Sequence, residues 1–328
     1  MRAKRGSPPP RKAVVAAVCA LIVAMSGAPP GHAWCDFLAI FNFGDSNSNT
    51  GGFWATFFGR PSGRASDGRL VIDFLTQALG IPFLSPYLQS IGSNYTDGAN
   101  FATLVSTVML SNTSQFVTGI SPFSLAIQLS QMKQFKVRVL ELAYKEDIFG
   151  RSLYTLDIDQ NDFTSNLAAV GSDGFKQYLP QVVDQIAWTI RDLPGVEPGA
   201  RRVLPCVPLE PGIFDLDEHG CVVSYNDAVE QYNILLKEAL RRTQSSLAGA
   251  TVVYADTHAV KLELFRHPAD HGTAVTATAC ADPQNYVSWD GIHATEAANK
   301  LVATAILGGS YLDPPFRLAD HCDLQPIG

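Results

Sequence analysis

Two stretches near opposite ends of the 328-residue chain hold side chains that could do chemistry together. The first is Phe37 to Gly52, FLAIFNFGDSNSNTGG, in which Ser46 follows an apolar run. The second is Ser288-Trp289-Asp290-Gly291-Ile292-His293. A serine hydroxyl is a poor nucleophile near neutral pH and needs a base to take its proton. Histidine, with an ordinary pKa of about 6.5, suits that task. A carboxylate on its other ring nitrogen fixes the tautomer and steadies the imidazolium. Three residues along one turn allow Asp290 and His293 to face each other without a third segment of chain. Taken singly, each stretch has a plainer reading: Ser46 closing a strand in an Asx/Ser turn, and Asp290 with His293 as a helix-capping pair. The order Ser, Asp, His is shared with α/β-hydrolases, but their Gly-x-Ser-x-Gly elbow is missing.

The elements around these residues alternate. Phe37 to Phe41 has the length and character of a strand buried on both faces, and Ser46 lies just past its C-terminal end, where open α/β sheets place ligands. A loop rich in glycine and aromatics, Gly51 to Gly63, fits either a pocket wall or ordinary packing. Leu70 to Leu79 has helical spacing and is stopped by Gly80 and Pro82. Leu125 to Ala143 carries a broken helical pattern. Leu153 to Ile158 is a second strand, ending at Asp159-Gln160-Asn161-Asp162, which read alone is a turn. An amphipathic helix follows from Phe175 to Leu193, then a short strand from Gly199 to Leu204. Ser224 to Leu247 is the longest helix, with a stripe of Tyr225, Val229, Tyr232, Leu236 and Leu240. Thr251 to Ala255 is a further buried strand closed by Asp256, and a helix from Ala294 to Leu307 puts His293 near its start. Strands alternating with helices argue for an α/β fold with a parallel sheet covered on both sides.

Composition narrows the class. With 46% hydrophobic and 17% charged residues the chain has ample core. No linker divides it after residue 34, so residues 34–328 are expected to form one domain. Residues 1–33 differ: five basic and no acidic residues, an apolar run from Ala13 to Met25, and Gly31-His32-Ala33 as a cleavage site. That pattern is a secretory signal peptide, and the run is too short to span a membrane. Its removal takes the formal charge from −7 to −12, because five positive charges leave with it. So acidic a product has little reason to bind nucleic acid or anionic lipid, and neutral sugars or small esters are easier partners. Cys35, Cys206, Cys221, Cys280 and Cys322 remain in an oxidising compartment; Cys206 and Cys221 flank a Pro/Gly-containing loop and are expected to pair. Asn94-Tyr-Thr and Asn112-Thr-Ser are glycosylation sequons, expected on surface loops. His267, Asp270 and His271 read as surface rather than as a metal site, and no zinc-type spacing occurs. Nothing in the sequence fixes an oligomeric state.

Phe43-Gly44-Asp45-Ser46 resembles the signature block of the GDSL (SGNH) ester hydrolases. Ser62 to Arg69, Gly98 to Thr103, Asn161-Asp162 and Asp290-x-x-His293 resemble further segments of the plant secreted branch of that family. The resemblance covers about residues 35 to 318. It implies a three-layer α/β/α, flavodoxin-like hydrolase with a mostly parallel sheet that needs no metal or organic cofactor. Carried over residue by residue, Ser46 is the nucleophile, His293 the base and Asp290 its orienting carboxylate. The oxyanion donors are the Ser46 backbone N–H, an N–H near Val105 and the Asn161 amide.

Relatives act on acetyl esters of cell-wall polysaccharides and on lipid or small acyl esters, and a few are described as glycosidases. Fucosidase action asks for two opposed carboxylates where this site suggests one. The sequence also departs from the family. Leu104 and Val105 stand where a Gly-Gly or Ala-Gly pair is usual, and a β-branched residue holds a positive φ only with strain. Asp159 replaces a glycine and would oppose a developing negative charge if it faced the site. Two loops, after Arg201-Arg202 and between Gly272 and Cys280, are shorter than in relatives. These departures motivate the rival expectation of a catalytically impaired glycan-binding module.

Overall fold

Residues 35–328 are described by the computed structural model, apart from 53–62, 90–91, 111–120, 142–147, 194–222, 248–250, 268–269, 271–282 and 291. The signal-peptide stretch, the Gly199 to Leu204 strand, the Cys206–Cys221 pair, Asn112 and His271 fall outside the described residues.

Strand β1 runs Ala39–Gly44, starting two and ending three residues further along than the apolar run predicts. The difference has a simple cause: Asn42 and Gly44 are polar or small, yet their backbone completes the ladder. β1 is the middle strand, pairing in parallel with β2 (Gly98–Asn100) and β3 (Ser152–Asp157). The register sets Phe41 beside Tyr154 and Phe43 beside Leu156.

Alternating side chains serve two faces. Phe41, Phe43, Tyr154 and Leu156 join a buried cluster with residues of α2 (Leu125–Glu141), α3 (Gln160–Asp192) and α4 (Val223–Ser246). Ile40 and Leu153 point the other way, onto Leu70, Ile72 and Leu79 of and around α1 (Val71–Ala78). Next to them, Val71, Phe74 and Leu75 pack on Val260 of α5 (Thr257–Arg266) and on Val302 and Ala303 of α6 (Glu296–Leu307). The result is helix, sheet, helix: the α/β/α sandwich.

Two elements differ from expectation. α3 begins at Gln160, fifteen residues before the expected Phe175, so the supposed turn at Asn161-Asp162 is the first turn of a helix. The segment Thr251 to Ala255 contributes only Tyr254–Ala255 as strand β4, which pairs antiparallel with β5 (Leu312–Asp313) rather than joining the parallel sheet. Backbone groups of a buried strand must find partners, and the chain returning from α6 provides them.

Cys35 and Cys322 form a disulfide across a sequence separation of 287. Beside it Asp36 N donates to the His321 carbonyl (2.8 Å). In the chain-entropy account, closing so long a loop is worth on the order of 5 kcal/mol. Asn94 is exposed, as its sequon requires. No helix among the described residues is long and apolar enough to cross a membrane.

Candidate active site

Everything around Ser46 follows from how β1 ends. Gly44 must be glycine, because a Cβ there would lie 2.3 Å from the Asp157 carbonyl oxygen and 2.2 Å from Ser48 Oγ. Its peptide is clasped by a helix side chain: Gly44 N donates to Gln128 Oε1 (2.9 Å), and Gln128 Nε2 donates to Gly44 O (2.8 Å). Asp45 N then donates to Asp157 O (3.0 Å). A second polar layer fixes the turn beyond. Asn42 Nδ2 donates to Asn100 Oδ1 (2.8 Å), Thr155 Oγ1 donates to Asn42 Oδ1 (2.7 Å), and Asn100 Nδ2 donates to the Ser48 carbonyl (2.7 Å). The Asn42 and Asn100 amides and the Thr155 hydroxyl all find partners, so this layer specifies one conformation rather than penalising it. Ser46 leaves this floor 3% exposed.

His293 arrives from the other end of the chain on a tight turn. Trp289 N donates to His293 O (2.7 Å) and Thr295 N to Val287 O (3.1 Å), while Thr295 caps α6 by accepting from Ala298 N (3.2 Å). Ser66, Asp67 and Arg69 strap this turn down. Ser66 Oγ donates to Ala294 O (3.0 Å), Asp67 Oδ1 accepts from Glu296 N (2.7 Å), and Arg69 Nε meets Glu296 Oε1 at 2.8 Å. That is a physical reason for the residue types in a stretch that is otherwise loop.

The two ends meet. His293 Nε2 lies 2.9 Å from Ser46 Oγ, and His293 Nδ1 lies 2.6 Å from Asp290 Oδ2. Asp290 Oδ1 also accepts from the backbone N–H of Ile292 (2.9 Å) and His293 (2.7 Å). Partial burial works to raise the Asp290 pKa, but the His293 ring and backbone, with the Ile292 N–H, outweigh it and hold it at about 2. Asp290 is therefore a carboxylate throughout the physiological range.

Asn161 and Val105 sit close by, but not in the geometry of a finished oxyanion hole. Asn161 Nδ2 donates to Ser106 O (2.8 Å) and, at longer range, to Asp45 Oδ2 (3.3 Å). Val105 has φ 60°, the strained region anticipated for it, and its N–H donates to nothing among the described residues. Asp162, next to Asn161, clasps the same loop from the other side: Oδ2 accepts from Val108 N (2.6 Å) and Oδ1 from Met109 N (3.2 Å).

Asp159 has φ 146°, a conformation that favours glycine. Burial first, then Asp45, pushes its pKa well above the carboxylate range, with the Tyr232 hydroxyl opposing. The expected negative charge is thus suppressed. Gln128 and the Asn47 amide, which donates to Gln160 Oε1 (2.8 Å), escaped the sequence reading, as did the clasping role of Asp162. A glutamine at a buried position of the broken α2 pattern was the one available signal. No group of three His, Cys, Asp or Glu suited to a metal occurs among the described residues.

Fold and matched sequence define a class: a carboxylic-ester hydrolase of the α/β/α, flavodoxin-like kind. Residues 40–306 match the model of the GDSL-like lipase/acylhydrolase family. The chain is 50% identical over 365 residues to a GDSL esterase/lipase of Arabidopsis thaliana, covering 92% of this chain and 96% of that one. It is 35% identical over 352 residues to the esterase of Hevea brasiliensis (88% and 90% covered), and 35% over 363 residues to alpha-L-fucosidase 3 of Arabidopsis thaliana (90% and 97%). The chain belongs to the GDSL lipase/acylhydrolase family.

Proposed function

We propose that this ester hydrolase works through Ser46, His293 and Asp290, and that it is secreted. The observation that carries the first part is the run of contacts from Ser46 Oγ to His293 Nε2 (2.9 Å) and from His293 Nδ1 to Asp290 (2.6 Å). Ser46 Oγ attacks the ester carbonyl as His293 Nε2 takes its proton. The tetrahedral oxyanion is held by the Ser46 N–H, the Val105 N–H and the Asn161 amide, which turns from its longer contact with Asp45. His293 returns the proton to the departing alcohol, leaving an acyl-Ser46. Water, deprotonated by His293, then attacks that acyl group and releases the acid. Asp290, ionised at about 2, keeps the imidazole in the tautomer that presents Nε2 to the serine and offsets its positive charge.

The substrate class is an acyl ester, with acetyl groups on cell-wall sugar as the leading candidate. The relative named as a fucosidase raises glycoside cleavage as a competitor, but that chemistry needs two carboxyl groups facing the scissile bond. Asp290 is tied to His293, and Asp45 is fully buried with its oxygens taken by Asn47 and Asn161. The reading is tested by reacting the mature protein with a fluorophosphonate and mapping the adduct. Labelling of Ser46, with loss of p-nitrophenyl acetate hydrolysis in Ser46→Ala, is expected; equal rates in the two proteins would leave only a binding module. N-terminal sequencing of the exported product, expected to begin near Trp34, tests the address.

A further inference from the structure

Strand β2 stops at Asn100, which pairs with Asn42, so β1 runs on without it to Gly44. Past that point Phe101 N donates to Asn42 O (2.7 Å) and Thr103 N to Gly44 O (3.2 Å). A parallel ladder continued in this pattern would send the Gly44 N–H to the Phe101 carbonyl. It goes to Gln128 Oε1 instead (2.9 Å), and Gln128 Nε2 donates back to Gly44 O (2.8 Å). A primary amide carries both an acceptor and donors, so it can stand in for a strand peptide. Gln128 is fully buried, and Nε2 also donates to Phe123 O (3.2 Å).

That last bond closes a ring. Phe123 O accepts from Ser106 Oγ (2.8 Å), Ser106 O accepts from Asn161 Nδ2 (2.8 Å), and the same Nδ2 donates to Asp45 Oδ2 (3.3 Å). Asp45 follows Gly44 in the chain, where the ring began. The ring thus joins the peptide before the nucleophile, the loop that carries Val105, and the Asn161 amide. Gly44, Asp45, Ser106, Gln128 and Asn161 are all buried, where a lost hydrogen bond is not readily replaced by water.

We propose that Gln128 is a positioning residue: through this ring it sets the spacing between Ser46 and the two oxyanion donors that come from other segments, Val105 and Asn161. The inference rests on the hydrolase reading above. Gln128 does not touch the reacting atoms; it acts by holding Gly44 on one side and Phe123 on the other. The longest link, Asn161 to Asp45, is the one that opens when the amide turns to the oxyanion, and the rest of the ring stays closed. Donors on separate segments stabilise a transition state only at the right separation, and a displacement of about 1 Å can cost about 10²-fold in rate. Ground-state binding depends far less on that spacing, so a loss in kcat at nearly constant KM is the signature.

Gln128→Met keeps the length of the side chain and removes its hydrogen bonds. On p-nitrophenyl acetate its kcat is expected to fall by at least about tenfold; acylation and deacylation use the same donors, so both slow together and KM stays within about twofold. Inhibition by phenylboronic acid, which forms a tetrahedral adduct on a serine, should weaken by a similar factor. Gln128→Glu is the second variant and decides the matter if the first does not fold. A protonated carboxyl keeps the acceptor and one donor of the amide, an ionised one donates nothing, and burial holds the proton to higher pH than usual. The kcat ratio of Gln128→Glu to wild type should therefore fall at least about fivefold between about pH 6 and about pH 8.5, while the ratio for Gln128→Met stays level; groups common to both proteins cancel. Circular dichroism at each pH confines the comparison to folded protein. A folded Gln128→Met with kcat within about threefold of wild type, a loss confined to KM, or a Gln128→Glu ratio that does not change with pH would overturn the inference. A Ser46→Ala protein with the wild-type rate would instead remove the hydrolase reading, whereas an inactive Ser46→Ala beside an unimpaired Gln128→Met would remove the positioning role alone.

Discussion

Asp290 and Asp45 both act electrostatically on His293, and their surroundings push their pKa values in opposite directions. Asp290 has a side chain 38% exposed, receives three hydrogen bonds and stays ionised down to about 2. Asp45 is fully buried, and burial followed by the neighbouring Asp157 raises it to about 7 despite the Asn47 donors. Asp162, in the same layer, is also raised to about 7 by burial, with the Val108 and Met109 N–H groups opposing. A carboxyl's role here depends on whether its hydrogen bonds outweigh its lost hydration. At the mouth they win and leave a charge to stabilise an imidazolium. In the floor they lose and leave acids that act as fixed hydrogen-bonding struts.

The sharpest way to break this contrast is to neutralise one acid of each kind. Asp290→Asn leaves the shape and removes the charge, with an amide that can stabilise the wrong tautomer of His293. A fall in kcat of about 10²–10⁴ on p-nitrophenyl acetate is expected. Asp45→Asn replaces a carboxyl whose pKa, raised to about 7, leaves it about half protonated at neutral pH, and its kcat should fall by less than about tenfold. Steady-state kinetics on the two variants, with circular dichroism to check folding, decides the matter. Comparable losses would mean that Asp45 acts as an anion after all.

The contrast also sets the dependence of stability on pH. Asp45 and Asp162 keep their protons in the native state up to about 7, whereas unfolded aspartates release them near their ordinary value of 3.8. Between those limits the native state binds more protons than the unfolded one, so stability falls as pH rises. Asp290 has the opposite sign: its contribution is present above 3.8 and is lost as pH falls towards 2. Thermal unfolding should therefore show a higher Tm at pH 5 than at pH 8, by several degrees, with a decline below pH 4. A Tm that rises steadily from 5 to 8 would show that the floor acids are ionised in the folded protein.

The mouth of the site was more legible in the sequence than its floor, for a physical reason. Ser46, Asp290 and His293 are short-range patterns, a strand end and one tight turn, and the residues themselves suggest the chemistry. The floor depends on contacts between distant segments. Nothing local in Gln128 says that it will clasp Gly44, and nothing in Asp162 says that it will tether Val108. The Cys35–Cys322 bond is of the same kind, since cysteine spacing does not determine connectivity. The helical signal at the start of α3 is lowered by Gly171 and Gly174, yet the helix runs on through both. Likewise only Tyr254–Ala255 of the expected strand Thr251 to Ala255 forms one, because its partner, β5, comes from beyond the next two helices and pairs with those two residues alone.

Two residues with positive φ make the last comparison, and both stand where glycine would be at ease. Asp159, at φ 146°, combines backbone strain with a buried carboxyl, so Asp159→Gly removes two unfavourable features at once. Relief of strain is worth about 1–3 kcal/mol, set against about 0.5–1 kcal/mol of added chain entropy in the unfolded state. A rise of about 1–3 kcal/mol in unfolding free energy by urea titration is expected once the buried acid is counted. Loss of stability would show that the contact with Tyr232 holds the start of α3 in place.

Val105, at φ 60°, is strained without being buried in polar company, and the same balance predicts a smaller gain of about 0–2 kcal/mol for Val105→Gly. Its effect on activity separates two views of the loop. If the clasp by Asn161 on the Ser106 carbonyl and Asp162 on Val108 and Met109 already fixes the N–H of residue 105, then kcat should change by less than about threefold, because only the side chain is lost. A larger rise would mean that valine holds the donor out of line. A larger fall would mean that its side chain, rather than the clasp, keeps the loop in place.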